Sequence, residues 1–343
     1  MADYLCVSPS SRMGGGRTVL LGVAGAAART GAPLRFLVHP AMAPELEALG
    51  VGVESLAGGH GGRRLLEARR RLRTARPAAA LLLDNLSLGS GVPEVVFVAN
   101  ALVVTPGSRF DARALWFRAS ARRVTSFVAP NRALEHAVVE RTGARCVTAP
   151  LGVQPPPEEA RPTRVPRRVL HIGLPSPQKN LEAVVRTFAL LAPDVELRWN
   201  LPADSDEGCR LAALAIELGV ADRITWLGHL APDDLWRELA SASAFLFPSY
   251  LESYGLPAVE ALSVGTPVVS AERPWARAVF GDAALFADPD DPADLAGLVT
   301  QVLDDVTLRE RMSAAGVALT ATRTWDAMLG VVMTELERAA LDR

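Results

Sequence analysis

The segment FPSYLESYGLPAVEALSVGTPVVS, residues 247–270, is the part of the chain that most clearly predicts a fold. Its first residue ends an apolar run, Ala244–Phe247, that is typical of a short buried strand. Gly255 permits a backbone conformation closed to other residues, and Pro257 suits the first turn of a helix, where its missing N–H costs nothing. Gly265 is placed to end that helix as a C-cap. The segment therefore predicts a strand, a loop, a short helix and a further strand.

Two carboxylates lie on either side of the Gly-Leu-Pro turn. Glu252 precedes the turn, and Glu260 falls about one turn into the predicted helix. In an open parallel sheet such a loop lies at the carboxyl ends of the strands, where ligands bind, and the helix N-terminus suits a pyrophosphate. A carboxylate repels phosphate, so we expect Glu260 to bind the diol of a ribose and Glu252 the hydroxyls of a sugar. Spacing alone leaves open that Glu260 caps its own helix and Glu252 is a solvated acid.

These residues resemble the E-x7-E donor signature of retaining glycosyltransferases of family four, which have the GT-B fold. The resemblance rests on residues 248–269, with Glu252 and Glu260 as the two acids. Other segments follow in the family's order along the chain: 171–181, 218–228, 281–285, 288–289 and 324–326. The match covers most of residues 165–330, and the N-terminal half matches more loosely.

The resemblance implies an α/β fold of GT-B type, with two Rossmann-like parallel-sheet domains facing a cleft. Apolar runs that alternate with helical patterns favour the same parallel layering. We predict an acceptor-binding domain at 1–152, a proline-rich linker at 153–166 and a nucleotide-sugar donor domain at 167–322. Residues 323–343 are predicted to form a helix that crosses back to the first domain.

Short apolar runs predict the strands of both sheets. The strands predicted for the first sheet are Tyr4–Val7, Leu34–Val38, Ala80–Leu83, Val95–Val98, Ser126–Val128 and Cys146–Thr148. Those predicted for the second sheet are Val169–Ile172, Val195–Trp199, Ile224–Leu227, Ala244–Phe247 and Pro267–Ser270.

The resemblance also implies a set of donor-binding residues. Lys179 stands at a strand-to-helix junction, where a cation neutralises a diphosphate and helps it to leave; the alternative is a solvated surface lysine. Lys179 and Glu252 are the predicted catalytic residues. The predicted donor-binding residues are Gly15, Gly16, Lys179, Asn180, Glu252, Ser253, Tyr254, Gly255, Leu256 and Glu260.

The glycines belong to a turn, Arg12–Thr18, that follows the first predicted strand and precedes a helix predicted from about Val19 to Ala28. Glycines let the backbone approach a ligand, and a helix end attracts anions. The turn is neither a Walker loop nor a G-x-G-x-x-G motif, and a plain tight turn remains an alternative. The resemblance favours a loop that faces the donor phosphates and the acceptor.

Three positions depart from the family's pattern. Leu174 stands where an arginine is frequent, and Ala278 stands where many relatives carry a glutamate. Arg273 or Arg277 is expected to supply the missing positive charge. Asn100 replaces a histidine near the middle of the first domain. We predict that Asn100 binds the acceptor; the alternative is an ordinary cap at a strand end.

Composition limits the class of protein. The net charge of −2, from 36 basic and 38 acidic residues, gives no global field that favours nucleic acid. Three cysteines far apart and five scattered histidines form neither a disulfide framework nor a metal-ligand spacing, so no metal or cofactor is expected. His171 is predicted as a satisfied core residue. A reducing bacterial cytoplasm is the simplest location, since neither a signal peptide nor a membrane-spanning run is recognisable.

The run Arg63–Arg76 is basic and helical, with Leu65, Leu66 and Leu72 spaced for one face. Such a helix can rest on the anionic inner membrane or attract an anionic acceptor. More often it is a solvated helix whose leucines lie in the core.

These features together predict a retaining, metal-independent glycosyltransferase of hexosyltransferase type. It would move a sugar from a nucleoside diphosphate sugar to an acceptor hydroxyl, with a donor phosphate oxygen receiving the acceptor proton, as the resemblance implies. The alternatives are a non-catalytic nucleotide-sugar-binding homologue that supports a partner enzyme, and an epimerase or phosphorylase on the same architecture.

Overall fold

The structure is a computed structural model that describes residues 3–105, 112–158, 161 and 163–342, with the backbone alone at 112–114 and 116. The chain divides into two compact units. The first contains Met1–Gly152 together with Arg323–Arg343, and the second contains Val153–Thr322. Each unit is built on one parallel sheet with helices between successive strands, so the predicted α/β class with two Rossmann-like sheets is confirmed.

The first unit has a seven-stranded parallel sheet in the order β3-β2-β1-β4-β5-β6-β7. Its strands are β1 (Tyr4–Ser8), β2 (Leu34–Val38), β3 (Val53–Ser55), β4 (Ala79–Leu82), β5 (Glu94–Phe97), β6 (Ser126–Ala129) and β7 (Cys146–Thr148). Its helices are α1 (Gly14–Thr30), α2 (Ala43–Ala48), α3 (Gly61–Ala75), α4 (Ala112–Ala121), α5 (Arg132–Thr142) and α13 (Trp325–Leu341). The strand order reverses between β1 and β4, which creates a crevice suited to ligands at their carboxyl ends.

The second unit has a six-stranded parallel sheet in the order β10-β9-β8-β11-β12-β13. Its strands are β8 (Arg168–His171), β9 (Glu196–Trp199), β10 (Ile224–Trp226), β11 (Ala244–Phe247), β12 (Val268–Ala271) and β13 (Ala284–Ala287). Its helices are α6 (Leu181–Ala189), α7 (Asp206–Glu217), α8 (Pro232–Ser241), α9 (Leu256–Ser263), α10 (Pro274–Phe280), α11 (Pro292–Asp304) and α12 (Val306–Ala321). Its order reverses between β8 and β11, both central and buried.

Every predicted strand is present, but two strands were not predicted. β3 is a three-residue edge strand, and its Val-Glu-Ser sequence gives no apolar run. β13 has the sequence Ala-Leu-Phe-Ala, in which the two alanines have low strand propensity. Both are edge strands, where burial is weakest and the sequence pattern is least distinct.

The predicted start of the first helix near Val19 is wrong. α1 begins at Gly14, so Gly15 and Gly16 lie in its first turn and not in a turn before it. Glycine weakens a helix by about 1 kcal/mol relative to alanine. The buried face that begins at Val19 and Leu20 offsets this cost, because it anchors the helix on the sheet.

The C-terminal helix α13 packs within the first unit at two glycines. A methyl group on Gly22 of α1 would lie 2.2 Å from the ring of Trp325, the first residue of α13. A methyl group on Gly152 would lie 2.2 Å from the Trp325 backbone nitrogen. Glycine is therefore required at both positions for α13 to approach this closely, and Trp325 is itself buried.

We predict that Gly22→Ala lowers the free energy of unfolding of the first unit by about 2 kcal/mol, the usual scale of overpacking. An alanine in a helix ordinarily stabilises it, so the sign of the change reports the contact with Trp325. Calorimetry measures the transition. Gly330→Ala is the matched control, because a methyl group there meets nothing within 4 Å. Its melting temperature should rise slightly; an equal rise in Gly22→Ala would contradict the packing.

Candidate functional site

The loop after β11 turns into α9 through a glycine that the surrounding packing requires. Gly255 has φ 74°, the left-handed conformation, and forms the N-cap of α9. A methyl group there would lie 3.1 to 3.3 Å from ring atoms of Phe247, Trp275 and Phe280. Conformation and contact both demand glycine, so three aromatic rings fix the position of the amino end of α9.

Two backbone amides at this helix end are available to a ligand. Pro257 occupies the first turn and has no N–H. Among the described residues, no acceptor receives the amides of Gly255 or Leu256, although Gly255 is buried. Nearly all buried amides in proteins are hydrogen-bonded. Two unused donors at the positive end of a helix therefore form a site suited to an anion.

Lys179 and Glu252 form an ion pair at the reversal of strand order. Lys179 ends a short 3-10 turn after β8, and Glu252 lies in the loop after β11. The Nζ–Oε1 distance is 2.6 Å, and the side chains are only 17% and 14% exposed. The Lys179 ammonium also lies 5.3 Å from the centre of the Phe247 ring. Lys179 is therefore not a solvated surface lysine, and the two predicted catalytic residues meet.

Glu260 is a carboxylate without a partner in the described contacts. It lies half-buried on α9, and no described group donates a hydrogen bond to its side chain. The alternative role as a cap for its own helix is not seen in the described contacts. Burial raises the pKa of Glu260 to about 7, because no donor replaces the water it has lost. A ligand that brought two hydroxyl donors would relieve this cost.

His171 lies beneath the Lys179 loop and is only half satisfied. It is fully buried, with its Nδ1 2.8 Å from the Leu246 carbonyl oxygen and its ring 5.3 Å from the Trp199 ring. Burial lowers its pKa to about 4, so the ring is neutral and Nδ1–H donates to the carbonyl. The predicted core position is observed, and Nε2 is buried with no partner among the described residues.

Three loops at this edge of the second sheet are tied together. The Asn180 side chain donates to the Pro289 carbonyl at 2.8 Å, which joins the loops after β8 and β13. The Tyr250 amide donates to the Gln178 carbonyl at 2.8 Å, and its hydroxyl donates to Asp290 at 2.5 Å. The loop that carries Glu252 is therefore braced from both sides. Asn180 acts in this brace through its side chain, and its donor-binding role stays a prediction.

The sequence interpretation missed two polar residues here. Asn200 follows β9 and accepts the Gly173 amide at 2.9 Å, which fixes the start of the Lys179 loop. Ser249 follows β11, and its hydroxyl is fully buried without a described partner. The available signal was a polar residue directly after a predicted strand, the position where parallel sheets bind ligands.

The departures from the family's pattern lie at the surface. Leu174 is 56% exposed, and Ala278 lies on the exposed side of α10. Arg277 pairs with Glu272, while Arg273 is 3.5 Å from Asp290. Both arginines are thus engaged by other acids, and these contacts do not support the expected replacement of a missing positive charge.

In the first unit, Asn100 acts as a cap. Its side-chain oxygen accepts a hydrogen bond from the Leu102 backbone N–H at 3.0 Å. Its own backbone N–H donates to the side-chain oxygen of Asn85 at 2.8 Å. This is the alternative role that the sequence left open. Asn100 is exposed, so its binding to an acceptor stays a prediction, as do ligand contacts of Gly15 and Gly16 in the first turn of α1.

Asp84 marks the reversal of strand order in the first unit and was not predicted. It follows β4 and accepts the Ser10 amide and the Ser11 hydroxyl, each at 3.0 Å. Burial raises the pKa of Asp84 above its ordinary value, although these hydrogen bonds oppose the change. Asp84 therefore holds the segment that leads into the glycines of α1.

The basic helix α3 divides its leucines between the core and solvent. Leu72 is buried, whereas Leu66 is 67% exposed, so the expectation of a single leucine face is wrong for Leu66. Arg71 pairs with Glu54 and Glu67 at 3.2 and 3.4 Å. Membrane contact through this run stays a prediction.

In the residues that the structure describes, no helix is both long and apolar enough to span a bilayer. Within the same ranges, no three His, Cys, Asp or Glu side chains are grouped as metal ligands would be.

Residues 159–318 match the family model described as "Glycosyl transferases group 1". An O-antigen chain mannosyltransferase B from Escherichia coli is 33% identical over 160 residues, which are 46% of this chain and 42% of the relative. A D-inositol 3-phosphate glycosyltransferase from Mycolicibacterium vanbaalenii is 34% identical over 195 residues, 51% of this chain and 42% of the relative. The chain thus spans less than half the length of these curated relatives.

The fold resembles solved glycosyltransferases over nearly the whole chain. The crystal structure of HepE from Anabaena in complex with UDP has a TM-score of 0.82 at 17% identity and covers 98% of this chain and 100% of that one. At this identity the likeness shows the fold alone, and that fold is GT-B.

We predict that Glu260→Gln raises the melting temperature above neutral pH. The folded-state pKa of Glu260, about 7, exceeds its ordinary value, so the stability it contributes is present at low pH and is lost as pH rises through 7. A neutral glutamine avoids that loss. Calorimetry should compare the free energy of unfolding of the variant with that of the wild type. The difference should be small near pH 5 and larger, on the order of 2 kcal/mol, near pH 8.5.

Glu252→Gln is the control for this substitution. It removes the partner of a half-buried lysine, so it should lower the melting temperature under the same conditions. A Glu260→Gln variant that is destabilised above neutral pH would show that the Glu260 carboxylate has a partner.

Proposed function

We propose that the protein is a glycosyltransferase that moves a sugar from a nucleoside diphosphate sugar to an acceptor hydroxyl, with retention of the anomeric configuration. The observation that carries this proposal is the Glu260 carboxylate on α9, which has no partner among the described residues and follows a braced loop that holds the Lys179–Glu252 pair. The match of residues 159–318 to glycosyltransferases of group 1 supports it, as do relatives named for sugar transfer and a HepE structure that holds UDP.

The donor is proposed to bind across the switch point of the second sheet. Glu260 would accept both hydroxyls of the ribose, which favours its ionised form. The diphosphate would accept the amides of Gly255 and Leu256 at the positive end of α9. The Ser253–Tyr254 segment, which precedes these amides, would complete the cradle with its backbone.

The Lys179–Glu252 pair would exchange partners when the donor arrives. In the free protein the two charges compensate each other at 2.6 Å. A diphosphate offers the ammonium a stronger anionic partner, and a sugar hydroxyl gives the carboxylate a neutral donor. Lys179 would then stabilise the charge that develops on the leaving diphosphate, while Glu252 orients the sugar.

The proposed reaction needs no protein base and no metal ion. The bond between the anomeric carbon and the diphosphate oxygen breaks, and the acceptor oxygen bonds to that carbon on the same face. The acceptor proton passes to the departing phosphate oxygen, so charge and atoms balance. Lys179 compensates the negative charge that remains on the diphosphate.

A non-catalytic nucleotide-sugar-binding protein is a second candidate, and one observation favours it. The only cation that the described contacts place beside Glu252 is Lys179, and position 174, where a second cation is expected, holds an exposed leucine. Such a protein would bind the donor but would release no nucleoside diphosphate with any acceptor.

The decisive experiment has two steps. A thermal-shift screen of UDP, GDP, ADP and TDP with their sugars identifies the donor, because a ligand of the folded state raises the melting temperature. The product formed with that donor is then examined by NMR for its anomeric configuration. An inverted product contradicts retention, and donor binding without turnover over a broad acceptor panel supports the second candidate.

We predict that Glu260→Ala weakens nucleotide binding by roughly tenfold to hundredfold, the worth of hydrogen bonds to a charged group. Titration calorimetry should compare the nucleotide with its 2′-deoxy analogue in both proteins. The wild type should prefer the ribonucleotide, and the variant should not discriminate, since the group that reads the diol is gone. A variant that keeps the preference would place the ribose elsewhere.

We predict that Lys179→Met lowers kcat by about a hundredfold or more, because it removes charge stabilisation of the leaving group. Donor KM should change less than kcat. The comparison with Lys179→Arg, which keeps the charge, separates electrostatics from folding. Equal kcat values in the methionine variant and the wild type would exclude Lys179 from the reaction.

A further inference from the structure

The second unit carries a groove along the outward side of α12, away from every loop named above. We call it the α12 groove; it has a volume of about 700 Å³, and Arg164, Arg309, Ser313, Ala314, Val317 and Ala318 contribute to its lining. Volumes of this size are typical of sites for small ligands.

The α12 groove is distinct from the candidate donor site. Arg164 precedes β8, and its guanidinium donates to the carbonyl of Gly265, which precedes β12. These positions lie at the amino ends of the strands. Lys179 and Glu252 follow the carboxyl ends of β8 and β11 in the same parallel sheet. The groove therefore lies at the amino ends of the strands of that sheet, and the donor loops lie at their carboxyl ends.

The polar end of the groove contains two cations for which the described part of the chain offers no anionic partner. Arg164 makes one hydrogen bond, at 2.9 Å, to Gly265, and Arg309 donates to the carbonyls of Val302 and Leu303 at 2.9 and 3.0 Å. Each guanidinium has five N–H groups, so both have donors beyond these bonds to described residues. Among the described residues, no carboxylate forms an ion pair with either, although Glu310 also lines the groove.

Half-buried arginines of the same unit fall into two groups: some have a carboxylate partner, and others, such as Arg223, bond only to backbone carbonyls in the described contacts. Arg167, Arg168 and Arg198 each pair with a carboxylate at 2.5 to 2.8 Å. Burial lowers the pKa of the Arg164 guanidinium, and the charge of Arg309 adds to the effect. Two like charges that share a partly dehydrated groove favour an anion between them.

Beyond the arginines, apolar residues of α12 extend the groove. Ala314, Val317 and Ala318 are exposed along the outward face of α12, with Val317 43% exposed. The inward face of the same helix packs into the unit, where a methyl group on Gly316 would lie 2.9 Å from the Leu262 side chain. α12 is thus apolar on two sides, and only one side is covered.

We propose that the α12 groove binds a phosphate monoester of an apolar alcohol. The phosphate would lie between Arg164 and Arg309, whose planar forks match its oxygens, and the apolar chain would lie along Ala314 and Val317. A phosphate monoester carries close to two negative charges at neutral pH, which two guanidinium groups compensate. A carboxylate has one negative charge and would compensate only one of the two guanidinium groups.

Hexyl phosphate is the probe, with inorganic phosphate and hexanol as its two halves. Titration calorimetry at neutral pH should show that hexyl phosphate binds at least about tenfold more tightly than either half. Equal affinity for hexyl phosphate and phosphate would overturn the proposal, as would no measurable binding of hexyl phosphate.

Variants then test the location. Ala318→Asp and Arg309→Gln should each weaken hexyl phosphate binding by about tenfold or more. Thr300→Asp, an exposed substitution on α11 outside the lining, carries the same charge change as Ala318→Asp and should leave binding unchanged. Ala318→Asp alters an exposed residue, so an unchanged melting temperature shows that the fold persists. Normal binding by Ala318→Asp would refute the site.

Vesicles separate the two sources of such a ligand. A membrane headgroup would be identified if the wild-type protein sediments with vesicles that contain phosphatidic acid and not with vesicles of phosphatidylcholine alone. The Ala318→Asp variant should then stay in solution with both kinds of vesicle. Binding of hexyl phosphate without sedimentation would identify a soluble phosphate ester.

Discussion

The reversal of strand order between β8 and β11 is the constraint on which the candidate site depends. Connections leave two neighbouring parallel strands in opposite directions there, so the loops after both strands must open toward the same crevice. The loop after β8 brings Lys179, and the loop after β11 brings Glu252 and the turn at Gly255. Their ion pair and the packing of Gly255 against aromatic rings follow from this arrangement.

Charge at the site is compensated unevenly, and the unevenness fits a role in binding. Lys179 and Glu252 satisfy each other, whereas Glu260 is buried from water and gains no donor from the residues that the structure describes. A protein optimised for stability alone would not keep an uncompensated carboxylate on a half-buried helix. The uncompensated Glu260 carboxylate is therefore more informative about function than the Lys179–Glu252 ion pair, because ion pairs with a purely structural role also shift pKa values.

Local patterns predicted all but one edge strand in each unit, and they failed where structure depends on distant contacts. The strand Ala244–Phe247 and the turn at Gly255 are specified by neighbouring residues, so the sequence predicted both. The start of α1 depends on how its apolar face meets the sheet, and propensity alone placed it too late. Asp84 and Asn200 matter because of contacts with distant segments, at Ser10 and Gly173, which no local pattern contains.

The division of the first unit into two stretches of sequence has a consequence for synthesis. α13 contributes buried side chains to that unit, yet it follows all of Val153–Thr322 along the chain. During translation the second unit can acquire its complete core on the ribosome, since its residues are contiguous. The first unit must wait with the surface around Gly22 and Gly152 uncovered until Trp325 and the helix behind it emerge. Of the two units, the one whose synthesis begins earlier is therefore the one that completes its core later.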